Sequence, residues 1–222
     1  MKKLIIIILY YNSFITMETL KPIRRFVDAD NSCLFTSIAY LTDKKHFNEI
    51  SANAYRNMIV EYLLNNEFDE SLLDLTKEEY INEISNPSKW GGGIEIKIFS
   101  DILKLEIAVV DVQTNRIDVF GQDKNYTSRI YLLYNGIHYD PLVLNFDETS
   151  DSDTDITIFD SETNSIEEKF KNLIKQYTEK GDFVDLSKLF SLECEDCKEK
   201  FLNEGNATLH ASEKNHWNFK QI

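Results

Sequence analysis

The chain has 222 residues, of which 42% are hydrophobic, and 38 acidic against 24 basic residues give it a net charge of −14 at pH 7. This length and apolar content suffice for one packed domain and a small additional module. A charge of this size repels phosphate, which excludes sequence-independent binding of nucleic acid as a function.

The N-terminus combines a basic start, Met1-Lys2-Lys3, with an apolar run over residues 4–11. These are features of a minimal secretory signal, but the run is too short to span a bilayer and no small-x-small cleavage site follows it. Three interpretations stay open: a wrongly assigned start with Met17 as the true one, an exposed aggregation-prone strand, and a genuine signal. We favour the first and treat residues 1–22 as an extension.

A lone cysteine follows a turn of short polar residues, Asp28-Ala29-Asp30-Asn31-Ser32. The apolar residues after it have helical spacing, which predicts a helix from Cys33 to about Leu41. The helix dipole and the unpaired N–H groups at a helix N-terminus favour a thiolate over a thiol. Because the thiolate is the reactive form, Cys33 is the candidate nucleophile of a cysteine hydrolase.

Three further helices are predicted before the strands begin. Thr76 and Glu79 form a capping box at the start of the second, and the dipeptide Asn86-Pro87 ends it. Their expected ranges are 52–65, with Ser51 as its cap, about 76–85, and 94–103 after the turn Trp90-Gly91-Gly92-Gly93.

Four strands are predicted next, at about residues 107–112, 116–120, 130–134 and 138–143. Helices that precede clustered strands indicate an α+β domain, with the helices packed on a small, mostly antiparallel sheet. Residues 147–160 hold six acidic side chains and read as an exposed acidic loop. A helix with a capping box at residues 165–168 then runs to about Glu179 and ends at Gly181.

Among the four histidines, His138 is the candidate general base. His210 and His216 belong to the metal motif described below, and His46 lies in a charged stretch typical of solvated residues. His138 follows a strand-like run and a turn, and it begins a second apolar run.

A general base of this kind needs a group that orients it. Residues i and i+2 share one face of a strand, so Asp140 could accept the ring N–H of His138 and fix its tautomer. Asp30 competes for that role, or else orders the loop before Cys33.

The C-terminus carries the spacing C-x2-C-x12-H-x5-H, formed by Cys194, Cys197, His210 and His216. This lies within the range of a tetrahedral zinc site. A module of about thirty residues is too short to bury a core, so structural zinc would supply its folding energy. Six acidic residues against four lysines indicate a finger that is structural or binds protein rather than DNA. No cysteine remains for a disulfide, which predicts a reducing, cytoplasmic location.

The segments DADNSCLF, WGGGIEIKIFS, VVDVQTNRIDVFG and YNGIHYDPL, in this order, resemble the ovarian-tumour (OTU) family of deubiquitinating cysteine proteases, in the branch with a C-terminal zinc finger. The resemblance runs from about Arg24 to the chain end. It implies a papain-like protease fold, Cys33 as nucleophile, His138 as general base and Asp30 as the acidic residue. It does not decide whether Asp140 has that last role.

The implied reaction is hydrolysis of isopeptide or thioester bonds at the C-terminal glycine of ubiquitin. The Asp30–Cys33 loop would stabilise the oxyanion, and no cofactor takes part in catalysis. Trp90 and Gly91, in the glycine turn, and Ile137, beside the base, are candidates for contact with the ubiquitin tail. Two alternatives stay open: an inactive ubiquitin-binding module, and a protease for another ubiquitin-like modifier.

The resemblance also implies ubiquitin and polyubiquitin chains as partners and a role in protein quality control, including endoplasmic-reticulum-associated degradation. Relatives in this branch carry an N-terminal ubiquitin-like domain that docks onto an AAA ATPase. The residues before Arg24 leave no room for one, which argues against direct docking onto that ATPase. No nucleic-acid or membrane partner is expected. The expected parts are the extension at 1–22, the protease domain at 23–146, the acidic loop and linking helix at 147–189, and the finger at 190–222.

Overall fold

A computed structural model describes residues 9–10, 13–14, 17–43, 52–184, 192–201 and 210–221. The predictions for His46, for the Ser51 cap and for most of the N-terminal apolar run lie outside these ranges. Within them, no helix combines the length and the apolar character that crossing a bilayer requires.

The described residues include five α-helices with defined bounds, eleven strands, three short 3-10 helices and the helical residues 210–214. The helices are α1 (Cys33–Thr42), α2 (Ala52–Asn65), α3 (Lys77–Ile84), α4 (Gly93–Leu103) and α5 (Asn164–Lys180). The strands are β1 (Leu9–Tyr10), β2 (Ser13–Phe14), β3 (Lys21–Arg24), β4 (Glu106–Asp111), β5 (Ile117–Phe120), β6 (Ser128–Tyr134), β7 (Tyr139–Asn145), β8 (Phe159–Asp160), β9 (Leu192–Cys194), β10 (Lys200–Phe201) and β11 (Phe219–Gln221).

A six-stranded sheet in the order β3-β7-β6-β4-β5, with β8 beside β6, forms the centre of the chain. Its neighbours are antiparallel except for β4 and β6, which are parallel. The prediction of an α+β domain with a mostly antiparallel sheet is therefore confirmed. Strands β10, β9 and β11 form a separate small sheet near the C-terminus, and β1 pairs with β2.

Both faces of the central sheet are buried. Successive side chains of a strand point to opposite faces, so alternate residues of β4 and β6 enter two different apolar cores. Ile107 and Ile130 join the core formed with α1 to α4, whereas Ala108 and Tyr131 join the core that α5 covers. Burial on both sides explains why β4 and β6 read as continuous apolar runs in the sequence.

The predicted helix signals have mixed outcomes. The Thr76 box forms, because Thr76 accepts a hydrogen bond from the Glu79 N–H and its own N–H donates to the Glu79 carboxylate. The prediction of a capping box at residues 165–168 is wrong. Helix α5 begins at Asn164, and its N-cap residue, Thr163, makes no capping hydrogen bond through its side chain. Gly181 ends α5 with φ at +70°, as its position predicts.

Two features near the start of the described chain were not predicted. Strand β3 pairs with β7 along the sheet edge, where its Pro22 is tolerated. Next to it, Arg25 forms a two-pronged ion pair with Asp155 at 2.9 and 2.7 Å. The Asp155 side chain is fully buried. The expectation that residues 147–160 form an exposed acidic loop is therefore wrong at this residue.

Candidate functional site

Cys33 is the first residue of α1, as predicted, and only 8% of it is exposed. The Ser37 hydroxyl, one turn further along α1, donates to the Tyr139 carbonyl at 3.1 Å, and the backbone of Tyr139 acts to lower the pKa of the Cys33 thiol. These interactions place the start of α1 beside the first residue of β7. Since His138 immediately precedes that residue, the fold brings the predicted nucleophile and the predicted base to one place.

Burial has a direct consequence for the thiol. Desolvation raises the pKa of Cys33 above its ordinary value, although hydrogen bonds from the Tyr139 and Leu34 backbone act in the opposite direction. Burial thus opposes the preference for the thiolate that is expected at a helix N-terminus, which agrees with the expectation that Cys33 needs a base.

The imidazole of His138 is oriented by its neighbour two residues on. The His138 Nε2 lies 3.1 Å from Oδ1 of Asp140. The His138 N–H also donates to the side-chain oxygen of Asn135 at 2.9 Å, which fixes the backbone at the end of the turn between β6 and β7. With Nε2 beside the carboxylate, Nδ1 is the ring nitrogen that remains for a reaction.

Asp140 is itself held by two donors. Its side chain is fully buried, and it accepts a hydrogen bond from Arg24 Nε at 2.8 Å and one from the Val27 N–H at 3.0 Å. These two donors hold the carboxylate in a fixed orientation. Arg24 is a site residue that the sequence analysis missed, because β3 had not been predicted.

Asp30, the other acidic candidate, has a different environment. It is exposed, and its Oδ1 accepts a hydrogen bond from the Ser32 N–H at 2.8 Å. Its carbonyl lies 3.4 Å from the Cys33 N. These contacts order the loop before the cysteine, which was the second role considered for Asp30.

Arg56, a buried residue of α2, binds the same loop through hydrogen bonds. Arg56 donates to the Asn31 carbonyl at 2.9 Å, to the Ser32 hydroxyl at 3.1 Å and to the carbonyls of Ile84 and Pro87. Its guanidinium lies 4.1 Å from the centre of the Phe35 ring. Burial lowers the pKa of Arg56, while the negative charges of neighbours that include a Cys33 thiolate would raise it. The sequence signal was a single charge on the apolar stripe of α2.

The glycine turn borders the cysteine loop. Trp90 is 56% exposed and donates from its ring N–H to the Asn31 side chain. Gly91 packs so closely on α1 that an added Cβ would lie 2.7 Å from Leu34 Cδ2. Ile137, which immediately precedes His138, is 36% exposed.

The predicted metal ligands converge at the C-terminus. Their ligand atoms, Cys194 Sγ, Cys197 Sγ, His210 Nε2 and His216 Nδ1, all lie within 4.8 Å of one another. A tetrahedral zinc ion with bonds of 2.0 to 2.3 Å separates its ligands by roughly 3.3 to 3.8 Å. The hydrogen-bond-length contacts among these atoms, at 3.2 to 3.6 Å, fit that geometry.

The small sheet and a helical turn position these four side chains. Cys194 ends β9 and Cys197 lies in the turn before β10, whereas His210 begins the helical residues 210–214. The second ring nitrogen of His210 lies 3.2 Å from the Glu199 carboxylate, the arrangement that commonly orients a metal-binding imidazole.

Comparison with known proteins links this geometry to a family. The family model described as OTU-like cysteine protease matches residues 28–148. Ubiquitin thioesterase OTU1 of Dictyostelium discoideum is 38% identical over 200 residues, which cover 89% of this chain and 61% of that protein. The OVARIAN TUMOR DOMAIN-containing deubiquitinating enzyme 2 of Arabidopsis thaliana is 38% identical over 205 residues, which cover 90% of this chain and 97% of that protein.

A solved structure is similar as well. The Ovarian Tumor (OTU) domain in complex with ubiquitin superimposes with a TM-score of 0.62 at 32% identity, over 73% of this chain and 90% of the other. This chain spans about three fifths of the length of the Dictyostelium relative.

Proposed function

This chain belongs to the OTU-like cysteine protease family, and we propose that it is a cysteine-type deubiquitinase that hydrolyses isopeptide or thioester bonds at the C-terminus of ubiquitin. The observation that carries the proposal is the junction of α1 and β7, where Ser37, one turn after Cys33, donates to the carbonyl of the residue next to His138, and Asp140 contacts the ring of His138.

In the proposed reaction, Nδ1 of His138 takes the proton of the Cys33 thiol while Nε2–H donates to Asp140. The sulfur attacks the carbonyl carbon of the ubiquitin C-terminal glycine, and the carbonyl oxygen becomes an oxyanion. The N–H of Cys33 is a suitable donor to that oxyanion, because its contact with the Asp30 carbonyl is long. The negative charge of Asp140 stabilises the imidazolium formed in this step.

Two stages complete the reaction: the intermediate collapses to a thioester, and water then hydrolyses that thioester. The carbon–nitrogen bond breaks, and the imidazolium proton passes to the departing lysine amine, which leaves a thioester on Cys33. His138 next removes a proton from water, and the resulting hydroxide attacks the thioester. The carbon–sulfur bond then breaks, the imidazolium returns its proton to the Cys33 sulfur, and ubiquitin leaves with a free C-terminal carboxylate, so that no metal or redox partner is needed.

We assign the His-orienting role to Asp140 and the loop-ordering role to Asp30. The contact of Asp140 with the imidazole and the contact of Asp30 with the Ser32 N–H support this division. For the substrate tail, we propose contacts with Trp90 and Ile137, which are exposed beside the site, while Gly91 keeps the turn close to α1.

We further propose that the C-terminal module is a C2H2 finger that binds one structural zinc ion through Cys194, Cys197, His210 and His216. The ion would hold the small sheet and the helical turn together, and it has no part in peptide hydrolysis. Support comes from the four converging ligand atoms and from the cysteine and histidine donor set.

A cytoplasmic location and a role in protein quality control are proposed as well. Cys33, Cys194 and Cys197 are free of disulfides, which suits a reducing compartment. Fractionation of cells that express the tagged chain, followed by recovery of stabilised ubiquitin conjugates, tests both points. Co-purification with an AAA ATPase would extend the partner list beyond ubiquitin chains.

The enzyme proposal is tested with ubiquitin that carries an electrophile at its C-terminus. We expect a covalent adduct at Cys33 in the wild-type chain, identified by mass spectrometry, and none in Cys33→Ala. The variant should keep the wild-type melting temperature. Binding without an adduct in the wild type would indicate a ubiquitin-binding module, and an adduct only with probes based on another ubiquitin-like protein would reassign the substrate.

A further inference from the structure

We propose that the segment Gly181–Val184, termed the strap, positions His138 and so forms part of the catalytic unit. The strap follows α5 and lies outside residues 28–148, which match the family model. This inference rests on the proposed hydrolase function and adds positioning residues to it.

The first connection runs through charged side chains. Asp182 accepts a hydrogen bond from Arg24 Nη1 at 2.9 Å, and Arg24 Nε donates to Asp140 at 2.8 Å. Asp140 in turn contacts the imidazole of His138 at 3.1 Å. The strap therefore holds Nη1 of Arg24, while Nε of the same guanidinium holds Asp140. Asp140 is the carboxylate that orients His138.

The second connection runs through the backbone. The Val184 N–H donates to the Asn135 carbonyl at 2.7 Å, and the Asn135 side chain accepts the N–H of His138. Gly136 follows Asn135 in this turn and has φ at +105°. A Cβ added to it would lie 2.1 Å from the Val184 carbonyl oxygen. The turn that presents His138 is thus fitted against the strap with no space for a side chain.

The strap itself is anchored to the sheet. Its first turn is closed by the Asp182 N–H, which donates to the Tyr177 carbonyl at 3.0 Å, and the Tyr177 ring packs 5.1 Å from the Arg24 guanidinium carbon. The hydroxyl of Thr178 donates to the Val112 carbonyl just after β4. Because α5 is buried against the sheet, the strap is a firm support for the turn.

The two connections reach His138 from different sides, one through its ring and one through its backbone. Neither connection passes through the side chain of Trp90 or of Ile137, the two proposed contacts of the ubiquitin tail. Weakening the strap should therefore lower kcat, since the ring departs from the geometry needed for proton transfer, and leave KM nearly unchanged.

The test uses the full chain and a fluorogenic ubiquitin C-terminal amide. Asp182→Asn removes the negative charge of one of the two carboxylates that Arg24 binds, and Val184→Pro removes the N–H that binds the turn. We expect each to lower kcat about 3- to 10-fold at constant KM. The control is Asp118→Asn on β5, at the other edge of the sheet, because the Asp118 side chain has an exposure close to that of Asp182 (46% against 48%) and also pairs with an arginine, the exposed Arg116.

A double-mutant cycle separates positioning from general loss of stability. If Asp182 acts through Asp140, the Asp182→Asn change should have little further effect on kcat in an Asp140→Asn background. A full multiplicative effect in that background, or a kcat for both strap variants equal to that of Asp118→Asn, would overturn the proposal. A wild-type chain with no activity would instead refute the hydrolase function, so the two failures are distinguishable.

Discussion

Asp140 Oδ1 lies 3.1 Å from Nε2 of His138, two residues earlier in the chain, so one carboxylate sets both the tautomer and the direction of the imidazole. This contact leaves Nδ1 for the thiol proton. It supports our proposal that Asp140 orients the base, because Asp30, the other acidic candidate, accepts a hydrogen bond from the Ser32 N–H instead.

Exchange of each carboxylate for its amide should therefore have very different effects. Asp140→Asn should lower kcat/KM by about 100-fold or more, because the amide no longer stabilises an imidazolium or fixes the tautomer. Asp30→Asn keeps an oxygen that can accept the hydrogen bond from the Ser32 N–H. Its effect on the free energy of activation derived from kcat/KM should therefore stay within about 0.5 kcal/mol. Steady-state kinetics of the two variants, with melting curves as a control for folding, check this. A larger loss in Asp30→Asn would return that residue to the catalytic role.

The raised pKa of Cys33 predicts how its reactivity depends on pH. A raised pKa keeps the neutral thiol dominant at pH 7, so alkylation without a base should increase only as the pH approaches or exceeds about 9. We expect wild-type Cys33 to react with iodoacetamide at pH 7 at least about 10-fold faster than in His138→Gln, with the gap closing at high pH. Peptide mass spectrometry follows Cys33 separately from the two other cysteines. Equal rates at pH 7 would mean that the helix N-terminus is sufficient to ionise the thiol.

Arg56 should support both the loop and the stability of the domain. In Arg56→Lys, one ammonium cannot satisfy the four acceptors that the guanidinium bonds, so buried carbonyls lose their partners. We expect a loss of about 2–4 kcal/mol in the free energy of unfolding, measured with urea, and a lower kcat. Arg116→Lys, at an exposed ion pair on the sheet edge, is the control and should change stability by less than about 0.5 kcal/mol.

Removal of zinc should affect the finger and spare the protease domain. We expect one zinc ion per chain by native mass spectrometry, and a C-terminal segment that becomes protease-sensitive when a chelator is added. Cleavage of the ubiquitin amide should persist, since no proposed step uses the ion.

The contact between Glu199 and His210 gives a finer prediction for the same module. Glu199→Gln should weaken zinc binding about 10-fold in competition with a chromogenic chelator, because the imidazole loses its charged orienting partner. Glu195→Gln, an exposed acid between the two cysteines, is the matched control and should leave zinc affinity unchanged. Identical affinities for the two variants would remove Glu199 from the metal site.

Local patterns predicted much of this architecture. Helix α1 begins at Cys33 because an apolar stripe follows a polar turn, and the Thr76 box forms because its partners lie three residues apart. His138 and Asp140 were paired from strand periodicity alone. Each of these signals lies within a short stretch of sequence.

The unpredicted features depend on contacts between distant residues. Arg24 and Asp140 are 116 positions apart, and Arg25 and Asp155 are 130 apart, so no window of sequence contains both partners. Arg56 looked like an ordinary charge on α2 because the carbonyls that it binds come from two other segments. The burial of Cys33 was not predicted for the same reason, since α1 packs on β7 and the Ser37–Tyr139 bond between them joins residues 102 positions apart.

The hairpin of β6 and β7 has a consequence for how this chain can vary. Asp140 faces Leu133 across the ladder and Tyr139 faces Tyr134, so the four residues from 135 to 138 set the register of the base and its carboxylate. An insertion of one residue there that shifted the pairing by one position would turn both the imidazole and its partner to the other side of the sheet. Natural variation in length should therefore accumulate in the connection between β4 and β5 and be rare between β6 and β7.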